Sequence, residues 1–128
     1  MTETAALQVL VVEDSALVCD RIAEIVGSVP GVEVSGRAGS EADAVSMLDR
    51  GGIDVVILDL QLRSGTGFGV LRRLQNRSDR PVVVVFTNFA VPTYQERARK
   101  LGAEYFLDKV LDLEKLPRVL ASLAQSPD

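Results

Sequence analysis

The sequence contains no histidine and only one cysteine, Cys19. The absence of histidine excludes acid–base catalysis by imidazole, the Ser-His-Asp and Cys-His triads and the usual zinc sites. A single cysteine excludes a disulfide within the chain and a metal-binding cysteine cluster. Any metal bound here must therefore be held by oxygen atoms, as hard cations prefer.

Long apolar segments are also absent. The longest uninterrupted apolar run, residues 82–86, is far shorter than the roughly 20 residues of a membrane-spanning helix. The chain starts Met-Thr-Glu-Thr, with an acid where a secretory signal carries a base. We therefore expect a cytoplasmic protein without a membrane segment. At 128 residues, of which 47% are hydrophobic, one folded domain is expected.

Charge is distributed unevenly along the chain. Residues 1–62 hold 11 acidic and 3 basic residues, whereas residues 63–128 hold 7 acidic and 11 basic ones. Two differently solvated surfaces explain this distribution. The alternative is an acidic pocket built from the first half of the chain and a basic contact surface built from the second. The basic excess is small and has no interleaved aromatic residues, so we expect no direct binding of nucleic acid.

Hydrophobic periodicity alternates between strand and helix five times. The predicted strands cover residues 7–12, 32–38, 55–58, 82–87 and 105–107, and each is followed by a helical pattern. This order predicts an α/β fold, a doubly wound parallel sheet with helices on both faces. A glycine-bearing loop over residues 65–69 is expected before the third helix. The fourth helix, about residues 93–101, has few apolar residues and is expected to pack weakly.

Polar side chains follow the predicted strands at the carboxyl edge of the sheet, where such folds bind ligands. Glu13 and Asp14 follow the first strand, Asp59 follows the third, Thr87 ends the fourth and Lys109 follows the fifth. Singly, each has an ordinary explanation, such as helix capping by the acids. Together they predict a reactive site with three carboxylates, which repel unless a cation lies among them. Mg²⁺ is the cation that suits this set best.

The chemistry available to this set is phosphoryl transfer. A carboxylate at the tip of a rigid central strand, as expected for Asp59, can attack phosphorus and form an acyl phosphate. The metal would neutralise the oxygens of the transferring group. Lys109 would place a positive charge on the same oxygens, and Thr87 would donate a hydroxyl hydrogen bond.

Four segments carry a family resemblance, namely residues 9–15, 56–60, 84–87 and 102–109. Through them the chain resembles bacterial response regulator receiver domains of the chemotaxis-regulator type, over about residues 6–124. The resemblance implies a flavodoxin-like sheet with strand order 2-1-3-4-5 and five helices. We expect a single receiver domain over residues 1–128, acting as a stand-alone response regulator in a two-component system.

The resemblance also implies residue roles at the reactive site. Asp59 would be the phospho-acceptor, and a histidine kinase or phosphotransfer protein would donate from a phosphohistidine. Glu13, Asp14 and Asp59, with the backbone carbonyl of Gln61, would bind Mg²⁺ or Mn²⁺. Because the chain has no histidine, the donor must be another molecule.

A switch is implied at the neighbouring strand ends. Thr87 and Phe106 match the family's switch pair, through which phosphorylation would alter the surface of the fourth helix, fifth strand and fifth helix. A partner protein would bind that surface, or a second copy would form a phosphorylation-dependent homodimer. Gln61, Asn88 and Phe89 flank the approach of hydrolytic water by the same resemblance. Bulk at Asn88 and Phe89 is expected to shield the phosphoryl group and lengthen its lifetime.

Two other functions remain open on sequence. The chain could be the N-terminal receiver domain of a DNA-binding transcriptional regulator, although no recognition helix is present in it. Haloacid-dehalogenase-type phosphatases also form an aspartyl phosphate, but they need a second acid two residues after the first. Gln61 occupies that position, so we expect a phospho-acceptor domain that assists its own phosphorylation and dephosphorylation, and not an enzyme.

Overall fold

The computed structural model describes residues 5–125, in which five strands alternate with five helices. The strands are β1 (Leu7–Val12), β2 (Val32–Ala38), β3 (Val55–Leu58), β4 (Val82–Thr87) and β5 (Tyr105–Asp108). The helices are α1 (Ala16–Gly27), α2 (Glu41–Asp49), α3 (Gly67–Leu74), α4 (Pro92–Lys100) and α5 (Lys115–Ala124). The predictions for residues 1–4 and for the ends of the 1–128 domain lie outside the described residues.

All neighbouring strands pair in parallel, in the order β2-β1-β3-β4-β5. This confirms the predicted doubly wound, flavodoxin-like fold. The edge strand β2 alternates between buried and more exposed residues, whereas every residue of the central strand β3 is buried. A parallel strand covered on both faces reads as a continuous apolar run, which is why β3 was recognisable in the sequence.

The sheet separates two apolar cores, and β1 contributes to both with the period of two that a strand imposes. Leu10 and Val12 belong to the core that includes residues of α2, α3 and α4. Val9 and Val11 belong to the core that includes residues of α1 and α5. Packing on both sides holds the central strands, and therefore the residues at their carboxyl ends, in fixed positions.

Three helices start with a side-chain cap of the expected type. Ser15, Ser40 and Thr66 accept hydrogen bonds from the backbone N–H of Val18, Asp43 and Gly69 respectively. The last of these caps starts α3 at Gly67, so the last three residues of the loop predicted over residues 65–69 belong to the helix instead. Pro117 lies in the first turn of α5, where its missing N–H costs no helical hydrogen bond.

The helix α4 is only shallowly attached to the fold, as its sparse apolar pattern predicted. Ala98 is its one buried residue, and Tyr94 remains 39% exposed. The Tyr94 and Phe68 rings pack in a T-shaped arrangement with a centroid distance of 5.6 Å, and the Arg97 guanidinium lies 4.2 Å from the centroid of the same Phe68 ring. Within residues 5–125, none of the helices has the length and apolar character that crossing a membrane requires.

Candidate functional site

The carboxyl ends of β1, β3 and β5 bring Glu13, Asp59 and Lys109 together. The backbone N–H of Asp59 donates to the carbonyl of Val12 at 3.0 Å, and that of Lys109 donates to the carbonyl of Thr87 at 3.0 Å. These bonds continue the sheet hydrogen bonding one residue past the strands. The Glu13 N–H likewise donates to the carbonyl of Ala38 at 2.9 Å, so the sheet itself positions the backbone of all three residues.

A buried ion cluster forms from these three side chains. The ammonium group of Lys109 donates one hydrogen bond to Asp59 Oδ2 at 2.9 Å and another to Glu13 Oε1. The exposed fractions of the Lys109, Asp59 and Glu13 side chains are 11%, 8% and 3%. Two buried carboxylates thus share one ammonium group, which leaves an excess of negative charge in the site.

Burial and hydrogen bonding act in opposite directions on the ionisable groups of the cluster. Burial raises the pKa of Glu13 above its ordinary value, against the opposing hydrogen bonds from Lys109 and the backbone of Ser15. Burial lowers the pKa of Lys109, but its hydrogen bonds to Glu13 and Asp59 outweigh that effect and leave the pKa raised. Lys109 therefore carries its positive charge at neutral pH.

The third predicted carboxylate, Asp14, differs from Glu13 and Asp59 in its surroundings. Its side chain is exposed, and the described part of the chain contains no group of three or more His, Cys, Asp or Glu side chains close enough to hold a metal ion. Asp14 is therefore not part of the buried cluster, and its role as a metal ligand stays a prediction. Like charges also favour keeping the third carboxylate in solvent.

The loop between β3 and α3 folds back over Asp59. The Gln61 N–H donates to Asp59 Oδ1 at 3.3 Å, while the Gln61 side chain is exposed. Gln61 pairs with Thr66 in an isolated antiparallel bridge, and the Gly67 N–H donates to the Leu60 carbonyl at 3.0 Å. A Cβ atom at Gly67 would collide with the backbone of Asp59 and Leu60, so only glycine permits this close return.

The two proposed switch residues lie on neighbouring strands. Thr87 is fully buried, and its hydroxyl oxygen accepts a hydrogen bond from the Phe89 N–H at 3.2 Å. Phe106 pairs with Val85 in the β4–β5 ladder and is half-buried against the core that includes α4 residues. The structure thus places Phe106 beside the helix that is held most weakly.

A groove of about 690 Å³ opens beside Lys109, and its lining includes Asn88 and residues of α1. Phe89 is 44% exposed and is not among the residues that line this groove. Of the two side chains expected to shield the phosphoryl group, Asn88 therefore lines the groove beside Lys109, and Phe89 does not. The role of both in the lifetime stays a prediction.

Sequence analysis overlooked Glu41, although this residue contacts the loop that carries Gln61. Its carboxylate accepts a hydrogen bond from the Thr66 N–H at 3.0 Å. The sequence does contain a signal for a close approach, the alternating glycines Gly65, Gly67 and Gly69. It does not say which residue approaches them.

Comparison with known proteins agrees with this fold. The family model of the response regulator receiver domain matches residues 9–121. The receiver domain of NarL from Mycobacterium tuberculosis superimposes with a TM-score of 0.85 at 20% identity, covering 96% of this chain and 99% of that one. The chain therefore belongs to the response regulator receiver domains, the signalling domains of two-component systems, as its motifs predicted.

Similar curated sequences are longer proteins that contain such a domain. The chain is 40% identical over 83 residues to a protein-glutamate methylesterase/protein-glutamine glutaminase of Anaeromyxobacter dehalogenans, covering 65% of this chain and 23% of that protein. It is 30% identical over 116 residues to the nitrate/nitrite response regulator NarP of Escherichia coli, covering 91% and 54% respectively. The chain spans about a quarter of the methylesterase and about half of NarP.

Proposed function

We propose that this receiver domain accepts a phosphoryl group on Asp59 from a phosphohistidine of a histidine kinase or phosphotransfer protein. The observation that carries the proposal is the buried cluster in which Lys109 contacts both Asp59 and Glu13. Asp59 also receives the Gln61 N–H, so one carboxylate oxygen is oriented by the loop and the other by the lysine. Such orientation favours attack along one direction.

In the transfer itself, an Asp59 oxygen forms a bond to phosphorus while the phosphorus–nitrogen bond of the donor breaks. The imidazole leaves with the electron pair and takes up a proton from solvent. Lys109 is kept protonated by its carboxylate partners. Its ammonium group is close enough to Asp59 to leave the carboxylate and bind the negatively charged oxygens of the incoming phosphoryl group. Thr87, the last residue of β4, would supply a hydroxyl that donates a hydrogen bond to a phosphoryl oxygen.

The donor set fits a divalent metal of the hard class. The candidate ligands Glu13, Asp14, Asp59 and the Gln61 carbonyl offer only oxygen, and Mg²⁺ is bound through one or two carboxylates with water and phosphate oxygens. The excess negative charge around Lys109 favours such a cation, with Mn²⁺ as a substitute. When bound, the metal would neutralise oxygens of the transferring phosphoryl group.

Output is proposed to pass through the surface of α4, β5 and α5. The phosphoryl group would draw the Thr87 hydroxyl towards it, and Phe106 would fill the space released. Because α4 buries only Ala98, a small change beneath it can shift its position. A downstream protein, or a second copy of the chain in a homodimer, would bind the altered surface in the cytoplasm.

Mass spectrometry of the intact protein tests the proposal. After incubation with Mg²⁺ and acetyl phosphate, the wild-type protein should gain one phosphoryl group and the Asp59→Asn variant none. Asp54→Asn is the matched control, because Asp54 precedes the same strand at its opposite end and is exposed. Equal labelling of Asp59→Asn and wild type would contradict the proposal, as would loss of labelling in Asp54→Asn alone.

The lengths of the relatives favour a second candidate, in which this domain is the N-terminal receiver of a longer regulator. Both NarP, of which the chain spans 54%, and the methylesterase, of which it spans 23%, are longer than this chain. In that case phosphorylation would control an attached output domain and not a separate partner. The length of the encoding open reading frame distinguishes this candidate from the stand-alone regulator.

A further inference from the structure

Glu41, the first residue of α2, reaches across to the loop that follows the phospho-acceptor strand. Its Oε1 accepts the Thr66 N–H at 3.0 Å, and its own N–H donates to the Ser64 carbonyl at 3.0 Å. One residue thus fixes the loop at two neighbouring points through side chain and backbone. The contact joins parts of the chain that are 25 residues apart.

Two glycines leave the space that the Glu41 side chain fills. A Cβ atom at Gly65 would collide with the Glu41 Cβ, and one at Gly69 would collide with the Glu41 carboxylate. Gly65 also has a φ of +79°, which a residue with a side chain rarely adopts. Gly69 lies in α3 and has no such requirement, so its lack of a side chain has no explanation in helix geometry.

The loop transmits this contact to Asp59. Thr66, held by Glu41, is bridged to Gln61, and the Gln61 N–H donates to Asp59 Oδ1 at 3.3 Å. Thr66 also caps α3 through its hydroxyl, which accepts the Gly69 N–H at 3.1 Å. A continuous chain of contacts therefore runs from α2 through the loop to the acceptor carboxylate.

We infer that Glu41 is a positioning residue for the phosphorylation site, which sets the place of the Gln61 backbone relative to Asp59. The inference rests on the proposed function, since it assigns Glu41 a part in preparing that site for Mg²⁺ and phosphoryl transfer. Glu41 acts as a hydrogen-bond acceptor for Thr66. A glutamine keeps an acceptor oxygen of the same reach, whereas an alanine removes it.

The test compares the metal-free proteins first. In amide NMR spectra, Glu41→Ala should shift the signals of Thr66 and Gln61, and Glu41→Gln should leave Gln61 close to its wild-type position. Asp43→Ala is the matched control, because it removes another acid from the first turn of α2. Asp43 forms an ion pair with Arg63 at 3.9 Å, and because both side chains are exposed, this pair contributes little to stability.

The second measurement is the affinity for Mg²⁺, obtained by titrating each protein with Mg²⁺ alone and following the Gln61 amide signal. Glu41→Ala should weaken Mg²⁺ binding by roughly three- to tenfold, which corresponds to the loss of one hydrogen bond of ordinary net strength. Gly69→Ala should weaken Mg²⁺ binding in the same way, because the added methyl group displaces the Glu41 carboxylate. Alanine is a better helix former than glycine, so this weakening would not come from a loss of α3. This variant also carries the test if Glu41→Ala does not fold.

Each outcome decides the matter. An unchanged Gln61 signal in both Glu41→Ala and Gly69→Ala overturns the inference. A Gln61 shift in Glu41→Gln or in Asp43→Ala that is as large as the shift in Glu41→Ala also overturns it. Failure of the proposed function is seen separately, as a wild-type protein that acetyl phosphate does not label. In that case the Gln61 shift in the metal-free variants still establishes or refutes the positioning by Glu41.

Discussion

Replacing Lys109 by methionine should destabilise the fold by about 3 kcal/mol at neutral pH. The substitution removes the one ammonium group that contacts both buried carboxylates, Glu13 and Asp59. Removing one partner of a buried ion pair typically costs about 3–5 kcal/mol, because it leaves an uncompensated charge. Methionine keeps the apolar packing of the stem, and Glu13 can take up a proton, so the lower end of the range applies.

The loss should depend on pH in a defined direction. Burial already raises the pKa of Glu13 in the folded protein, and without the opposing hydrogen bond from Lys109 the pKa rises further. Between the ordinary pKa and this raised value, the folded state binds more protons than the unfolded state. Stability of the Lys109→Met variant therefore increases as pH falls through that window and decreases as pH rises through it.

Urea unfolding followed by circular dichroism, at mildly acidic and at neutral pH, measures both effects. The control is Lys115→Met, which removes an ammonium group that pairs with Asp112 at 3.2 Å on the exposed surface. That variant should change the free energy of unfolding by less than about 1 kcal/mol. Adding Glu13→Gln to Lys109→Met should recover much of the loss at neutral pH. A loss for Lys109→Met no larger than that of the control would refute the reasoning.

Four further variants test the proposed roles. Asp14→Ala should abolish Mg²⁺-dependent phosphorylation while urea unfolding shows an undiminished stability; normal labelling would remove Asp14 from the metal site. Thr87→Ala should accept the phosphoryl group but no longer change amide exchange at Phe106, and a wild-type response there would show that the switch takes another route. The phosphoryl group of the wild-type protein should last minutes or longer. Asn88→Ala and Phe89→Ala should each shorten that lifetime, measured by loss of mass, and unchanged rates in both would exclude shielding.

Much of the fold could be predicted because its central strands are buried on both faces. The continuous apolar run of β3 and the period-two division of β1 between two cores both follow from local sequence. The start of α3 was harder to predict from the sequence. Gly67 and Gly69 are weak helix formers, and only the Thr66 cap, together with the return of the loop onto Asp59, makes them helical.

The site was predictable as far as topology determines it. Parallel strands bring their carboxyl ends to one edge, which is sufficient to place Glu13, Asp59 and Lys109 together. The burial of each side chain beyond a strand end is not contained in that rule, and so the exposure of Asp14 could not be predicted from it. The role of Asp14 as a metal ligand stays a prediction. The contact between Glu41 and Thr66 depends on how two loops approach, which no local pattern reports.

Identification of the phosphorylated residue tests the proposed function most directly. The protein is labelled with acetyl phosphate and Mg²⁺ and then treated with borohydride, which reduces an aspartyl phosphate to homoserine but leaves a free aspartate unchanged. Peptide sequencing by mass spectrometry should find homoserine at position 59 and at no other aspartate. Homoserine at a different position, or a phosphoryl group that stays on a serine or threonine after reduction, would contradict the assignment of Asp59 as the phospho-acceptor.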